Sequence, residues 1–420
     1  VFARLSVFAG AIDLAAVEAV CALDDEPART RAFDVLTRLV DKSLVVVVQV
    51  AGATRYRLLE TLRDFGRNRL AESDDVPTVR AAHLRWAIGF AENAGRQMMG
   101  PGQVRWLEEI AATMDDLRAA LAWAVEIDEP EQGLQIMVGL PVWWQVRTVR
   151  DARHWLELLL RDETLIPAPM LGRGLSQLGV VLGIHAETER SVQVLERALG
   201  ILREVGDSGS VAWALHYLGI ARWDRARPKV ARDLTLEALA AFTETGEMVG
   251  SLRCLWWLIL WELEFGTVDE AMAHGARMKE LVPNVPGPIA GAHATEAFGL
   301  LARVDGDLSN ARELLRTAIG LHVQVGNAAC LSHCLEHVAL VALDGGDPER
   351  AAVVLGTVDA IRDDVVGNSA VPPFERIWHE QATRDVRAAL GEDAFAVAWG
   401  RGRAMRLDQA IASGVAAIGA

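Results

Sequence analysis

The sequence predicts a mainly α-helical protein, with an N-terminal module of helices around one small β-hairpin followed by a solenoid of helical hairpins. Three observations carry this. Small residues recur at an interval of 40 residues from Leu171 to about Asp364. Turn-forming clusters recur between them. The first 80 residues have another texture, in which helical spacing gives way to a β-branched run.

The segments starting at Ser191, Ala231, Ala271, Ala311 and Ala351 align on a small residue. Seven residues later stand Ala198, Ala238, Met278, Ala318 and Val358, two turns further along the same helical face. Twelve residues before each start lies Gly179, Gly219, Ile259, Gly299 or Ala339, each preceded by a large apolar residue. Glycine inside a helix gives up helix propensity, so its return at a fixed interval signals the close approach of another helix. Gly266-Thr267-Val268-Asp269, Asp305-Gly306-Asp307 and Gly345-Gly346-Asp347-Pro348 divide the two helices of a unit, while Gly206-Asp207, Gly246-Glu247 and Gly326-Asn327 separate units. A period of this size built from helix pairs indicates a solenoid. The large-Gly pair on the first helix, with two small residues seven apart on the second, resembles the tetratricopeptide repeat, although these units exceed the family norm by a few residues. The third unit departs, with Ile259, Met278 and the prolines Pro283, Pro286 and Pro288, which should end its second helix early.

At the N-terminus, Leu14–Val20 and Phe33–Val40 have helical spacing. Leu44–Val50 is β-branched, Ala51-Gly52-Ala53 can turn, and Arg55–Leu59 alternates before a third helix over Thr61–Ala71. Helices followed by a two-stranded hairpin suggest a winged-helix module. The phrases Arg4-Leu5-Ser6-Val7-Phe8-Ala9-Gly10, Leu39-Val40-Asp41-Lys42-Ser43-Leu44 and Tyr56-Arg57-Leu58-Leu59-Glu60-Thr61-Leu62-Arg63 resemble the segment after the nucleotide-binding domain of LuxR-type and AfsR-type transcriptional regulators of the STAND ATPase class. The resemblance continues through Asp115–Ala124 and resumes at Ala398–Met405, so it covers almost the whole chain. It implies a winged-helix-like module over 1–80, a helical connector over 81–130, tetratricopeptide-like repeats over 131–365 and C-terminal capping helices over 366–420. Within the connector, Trp86, Trp106 and Trp123 read as packing anchors. Glu131–Arg161 reads as a degenerate first repeat.

No Gly-x-x-x-x-Gly-Lys-[Ser/Thr] loop surrounds any of the three lysines, Lys42, Lys229 and Lys279, so ATP hydrolysis is not placed on this chain. The immediate apolar start, Val1-Phe2-Ala3, fits either a non-standard start codon or a cut through a longer protein. A formal net charge of −15 argues against a general binder of nucleic acid or anionic membranes. Four cysteines at irregular spacing fit a reduced, cytoplasmic setting, and no apolar run is long enough to span a membrane.

Several clusters invite a chemical reading. Cys330, His333, Cys334 and His337 lie along one helical face, but the outer two are too far apart for one tetrahedral ion, and Cys334 shares a small-residue column with Gly174, Ala214, Cys254 and Ala294. No metal site is expected. Asp24-Asp25-Glu26, Asp115-Asp116 and Asp363-Asp364 read as solvated helix-end acids, and no catalytic motif appears, so neither an enzyme nor a bound cofactor is expected. Arg55, Arg57, Arg63, Arg67 and Arg69 could meet DNA phosphates, but neighbouring acids offset them, and the resemblance implies packing against an ATPase domain in cis or in trans instead of direct DNA contact.

The resemblance also implies that the first helix of each repeat lines a concave groove. Six before the glycine column stand Arg173, Trp213, Arg253, His293 and His333; three before it stand Ser176, His216, Trp256, Glu296 and Glu336. The mix of aromatic, basic and acidic residues suits a protein or peptide partner. The expected role is sensing of a protein or small effector and relay through the winged helix to an ATPase. The competing readings are a stand-alone repeat scaffold and an independent winged-helix DNA binder.

Overall fold

The computed structural model describes residues 1–21, 26–223, 227–366, 373–405 and 409. Among them, helices dominate and one two-stranded sheet is present. The chain forms two compact units, one of residues 1–98, 102–143 and 154–170, the other of 99–101, 144–153 and 171–420.

The first unit begins with α1 (Phe2–Leu5), α2 (Leu14–Cys21) and α3 (Glu26–Asp41). The hairpin follows, β1 (Val45–Val50) and β2 (Ala53–Leu58), and then α4 (Glu60–Ala71). The hairpin register runs from Val45 opposite Leu58 to Val50 opposite Ala53. Its two-residue turn puts Ala51 at φ 50° and Gly52 at φ 76°, the left-handed pair that matches the twist of the strands. Ile12 adds a bridge, exchanging backbone hydrogen bonds with Tyr56 at 2.9 and 2.7 Å. Leu5, Phe8, Ile12, Val17, Leu36 and Val45 are buried together beneath these elements, so the module has its own core. This is the winged-helix arrangement expected from the change of period. Asp24 and Asp25 lie outside the described residues.

Beyond it run α5 (Val76–Gln97), α6 (Gln103–Glu126), α7 (Pro130–Gly139), α8 (Pro141–Val146) and α9 (Val149–Leu159). A Cβ on Gly95 would lie 1.9 Å from the Gly139 carbonyl oxygen, so α5 and α7 touch backbone to backbone. Trp86, Trp106 and Trp123 are half-buried. Trp86 meets Phe8 edge-on at 5.2 Å and Phe90 at 5.8 Å, and the Arg80 guanidinium lies 4.8 Å from the Trp123 ring.

The second unit is an array of helical hairpins: α10 (Ala168–Ile184) with α11 (Thr188–Glu204), α12 (Ser208–Ala221) with α13 (Pro228–Thr245), α14 (Met248–Phe265) with α15 (Val268–Leu281), α16 (Pro288–Val304) with α17 (Leu308–Val325), and α18 (Ala328–Asp344) with α19 (Pro348–Val366). Then come α20 (Pro373–Leu390) and α21 (Glu392–Arg403). The glycine column marks the close approaches it was read to mark. A Cβ on Gly179 would lie 2.5 Å from Leu195, one on Gly219 2.7 Å from Thr235, and one on Gly299 2.9 Å from Leu315, each partner on the second helix of the same hairpin. In the third unit α15 stops at Leu281, 14 residues long against 18 for α13 and α17, where the prolines begin. Cap residues start the first helices: Asp207 accepts from the Ser210 N–H at 3.2 Å and Asn327 from the Cys330 N–H at 3.2 Å.

The array is stitched across its length. Arg147, just past α8, donates from Nη2 to the Val325 carbonyl at 2.9 Å, a link over 178 residues. Gly326 makes room for it. Its φ is 64°, and a Cβ there would lie 2.5 Å from the Arg147 guanidinium.

At the C-terminal end the two expected capping helices part ways. The helix α21 stacks on α19 with backbone contact: a Cβ on Gly356 would lie 2.0 Å from the Trp399 carbonyl oxygen, and one on Gly402 1.9 Å from that of Val353. Gly356→Ala therefore has no flexible side chain to push aside, and is expected to cost about 1–3 kcal/mol in chemical denaturation, with loss of protection confined to α19 and α21. The helix α20 packs against α18, α19 and α21, and from it Trp378 meets His337 at 6.2 Å and Trp223 at 5.5 Å.

Candidate functional site

The ten groove positions share a face of the first helices, as their register requires, but most of them do not face solvent. Ser176, His216, Trp256, His293, Glu296, His333 and Glu336 are buried. Arg173 is exposed, and Trp213 and Arg253 are half-buried. The expectation that a mixed polar column must be open is corrected at these seven positions. They are polar and buried because neighbouring units supply one another's partners.

Two strings of contacts result. In the first, the His216 Nδ1 lies 3.5 Å from the Cys254 sulfur and the His293 Nε2 3.4 Å from that of Cys330. Trp256 lies 4.7 Å from His293 and stacks on His333 at 6.4 Å. Burial holds the His216 imidazole well below its usual range and brings His293 down to about 3, so both rings are neutral. Burial also pushes the Cys254 thiol up to about 12, and a thiol is a poor metal ligand. Cys334 donates to the Leu315 carbonyl at 3.7 Å, away from Cys330 and its histidine partner. Among the described residues, no group of three or more His, Cys, Asp and Glu is placed to hold a metal ion.

The second string is ionic. The Glu296 carboxylate, with 0% of its side chain exposed, has the His322 Nε2 at 3.6 Å and the His337 Nε2 at 3.4 Å. Burial alone would raise its pKa, yet these two partners overcome burial and hold it well below the usual carboxylate range. Glu336 accepts from the Arg362 Nη1 at 2.8 Å and from the His379 Nδ1 at 2.8 Å. The other nitrogen of His379 lies 3.1 Å from Asp359, which also accepts from the Trp399 Nε1 at 2.8 Å.

Of the three accessible positions, Trp213 lines an open cleft of about 560 Å³ at the N-terminal ends of α12 and α14, and the other two contact residues that line it. Trp213, Asp207, Ser210, Phe242, Glu247 and Val285 are among its lining residues. Arg173 reaches the Asp207 carboxylate, Nε to Oδ2 2.7 Å. The Arg253 guanidinium lies 5.5 Å from the Trp213 ring and 5.6 Å from that of Tyr217, fixing the indole by cation–π contact. Glu247 caps α14 through the Gly250 N–H, and its partial burial raises its pKa. Asp207 and Glu247 were visible in the sequence only as helix starts; their presence at one cleft depends on hairpin stacking.

In the first unit, Arg55 and Arg63 are engaged inward. Arg55 is buried, pairs with Glu109 of α6, and donates to the Ala11 carbonyl at 2.9 Å, which ties β2 to the connector. Arg63 donates to the Ala9 carbonyl, Arg67 to that of Ser6 at 3.3 Å, and Arg69 pairs with Glu72 at 3.0 Å. Arg57 is exposed. The Asp115-Asp116 pair also departs from expectation. It lies within α6 and not at its end, and Asp116 is fully buried, accepting from the Ala9 N–H at 2.6 Å and the Gly10 N–H at 3.1 Å. Asp116→Ala leaves two buried donors unmatched; a loss of about 1.5–3 kcal/mol in urea unfolding of the first unit is expected, and less for Asp116→Asn. Asp363 does lie exposed near the end of α19, paired with Arg403.

Residues 1–71 match the family described as the winged helix-turn-helix domain. Over 325 residues the sequence is 28% identical to a Mycobacterium tuberculosis (strain H37Rv) protein named as a candidate HTH-type transcriptional regulator, covering 75% of this chain and 36% of that protein. Over 82 residues it is 38% identical to an uncharacterised protein of the same strain, covering 20% of this chain and 21% of the other. Among solved structures, a signal transduction ATPase with numerous domains and a tetratricopeptide-repeat sensor, from Pyrococcus horikoshii, is similar over 99% of this chain and 64% of its own, at 13% identity and a TM-score of 0.46. The apo form of the quorum sensor NprR from B. thuringiensis is similar over 82% of this chain and 100% of its own, at 12% identity and a TM-score of 0.41. The chain thus opens with a winged helix-turn-helix domain, continues as a tetratricopeptide-like array, and spans about a third of the length of the first curated relatives it matches.

Proposed function

We propose that this chain is the non-catalytic sensor and relay portion of a transcriptional regulator of the LuxR and AfsR kind, acting in the cytoplasm. The repeat array takes up a protein segment or small effector at the cleft beside Trp213. The winged helix passes that state to an ATPase domain, in cis or in trans, and carries no cofactor of its own. The observation that supports this reading is convergence: of ten positions drawn from the groove columns, the three that keep accessible surface bear on one 560 Å³ cleft, directly at Trp213 and through contacts at Arg173 and Arg253. A ring pair, Trp213 and Phe242, beside the carboxylates Asp207 and Glu247 suits a ligand with an apolar body and a hydrogen-bond donor.

A role for the wing as relay, not DNA reader, is supported by Arg55, which is spent on Glu109 and the Ala11 carbonyl instead of facing outward.

The test is a thermal-shift screen of short peptides and small amines against the intact chain and its Trp213→Ala and Arg253→Ala variants. Ligands that raise the melting temperature of the parent should lose at least ten-fold in affinity with Trp213→Ala. Hits that bind both variants like the parent would remove the cleft from the reading. Trp256 is left intact in this series because it is buried, and its truncation would report on packing.

A further inference from the structure

The helix α20 is an element of the second unit whose position the repeat does not require. The stack runs from α18 and α19 directly to α21, which is seated on α19 by the paired glycines Gly356 and Gly402. The helix α20 lies beside that stack, against α18, α19 and α21. Among the described side chains, α20 is held by a stripe at successive turns, Trp378, Ala382, Val386 and Leu390, packed against α18 and α19, and by one polar clamp. Glu380, Arg384, Asp385 and Arg387 are exposed.

The clamp is His379. Both of its nitrogens face carboxylates, Nδ1 to Glu336 at 2.8 Å and Nε2 to Asp359 at 3.1 Å, an arrangement that only the imidazolium can satisfy by donating from both. Around it stand Glu336, His333 and His337 from α18, and Asp359 and Arg362 from α19. On its own helix, Arg376 and Glu380 pair with each other at 3.9 Å. The aromatic seat is Trp223, 5.5 Å from the Trp378 ring, which ties the second hairpin to α20.

We infer that α20 is an exchangeable plug: the strip formed by Trp223, His337, Glu336 and Asp359 is a helix-docking surface that the chain fills with its own Trp378-His379 pair, and that a partner helix carrying an aromatic residue followed by a cation can take over. The chemistry of the occupant is fixed by the seat, which offers an aromatic contact next to two carboxylates. Because α21 is anchored to α19 independently, release of α20 leaves the stack closed. This surface is distinct from the cleft at Trp213, and the inference stands whether or not that cleft binds an effector.

The experiment uses a fluorescent synthetic peptide of residues 373–390 and the full chain, as parent and as His379→Ala. Hydrogen–deuterium exchange is read in parallel over α19, α20 and α21. In the parent, α20 should exchange at least ten-fold faster than α19 and α21. In His379→Ala that gap should widen while α19 and α21 keep their protection, and the peptide should bind the variant at least ten-fold more tightly than the parent. A His379→Ala/Glu336→Gln variant should lose that peptide binding. Exchange of all three helices at one rate, or their joint loss of protection in His379→Ala, would make α20 an integral part of the stack and end the proposal. Equal or undetectable peptide binding to parent and variant, with α19 and α21 protected, would end it as well.

Discussion

Glu296→Ala is expected to lower the stability of the second unit by about 3–5 kcal/mol, the cost of breaking a fully buried charged cluster by removing one member. The carboxylate lies between His322 and His337, which come from the second helix of its own hairpin and the first helix of the next. Its removal opens a cavity and leaves two buried imidazoles facing it. Glu296→Gln keeps the volume and one acceptor, so it should fall between parent and Ala. The pH dependence has a definite sign: a carboxyl whose folded pKa is lowered contributes stability above its unfolded value, model 4.5, and loses it as pH falls. The parent should therefore lose more stability in acid than Glu296→Ala, which keeps only the acid limb of the other lowered carboxylates such as Glu336 and Asp359. A Glu296→Ala loss below about 1 kcal/mol, measured in urea, would mean that the histidines do not depend on it.

The seat of α20 should be tightest between about pH 4.5 and 6.5 and should weaken toward pH 9. Burial opposes a charged His379, but the hydrogen bonds to Asp359 and Glu336 win and raise it from 6.5 to about 9. A raised histidine gives its full contribution below its unfolded value and loses it as pH climbs through the folded one. For a shift of this size that contribution is on the order of 3 kcal/mol, reduced by the 18% exposure of the side chain. Burial likewise opposes ionised Glu336, but Arg362 and His379 bring it down to about 2, so its share is complete above 4.5 and fades in acid. Exchange protection factors of α20, corrected for intrinsic rate, should fall at least ten-fold from pH 6 to pH 9.5. His379→Ala should flatten that slope. A profile that is flat in the parent would refute the clamp.

The sequence made the stack legible because its small residues are determined locally. Gly179, Gly219 and Gly299 each face one side chain on the next helix, so the constraint repeats with the chain itself. The hairpin was legible for the same reason, in Val45–Val50 and the Ala51-Gly52 turn. Burial of Glu296 and Glu336 was not legible, since their partners arrive from other helices at unequal separations: His322 and His337 for one, Arg362 and His379 for the other. One signal was present. Both glutamates occupy a single column, and His333 and His337 flank the second, an acid and imidazole pairing that surface columns have no reason to keep. Asp116 hid in the same way, because the backbone donors it serves lie about a hundred residues away at Ala9 and Gly10.

An open-ended stack of hairpins can in principle gain or shed a unit and simply become longer or shorter. The Arg147 bond to the Val325 carbonyl removes that freedom here, since it joins a point ahead of the first full hairpin to the turn after the fourth. Inserting or deleting one 40-residue unit would carry the acceptor out of reach and leave Gly326 with a left-handed turn that no longer accommodates anything. The number of hairpins from Arg147 to Val325 is thereby counted by the fold, and descendants with an altered tally in that span would have to abandon the stitch.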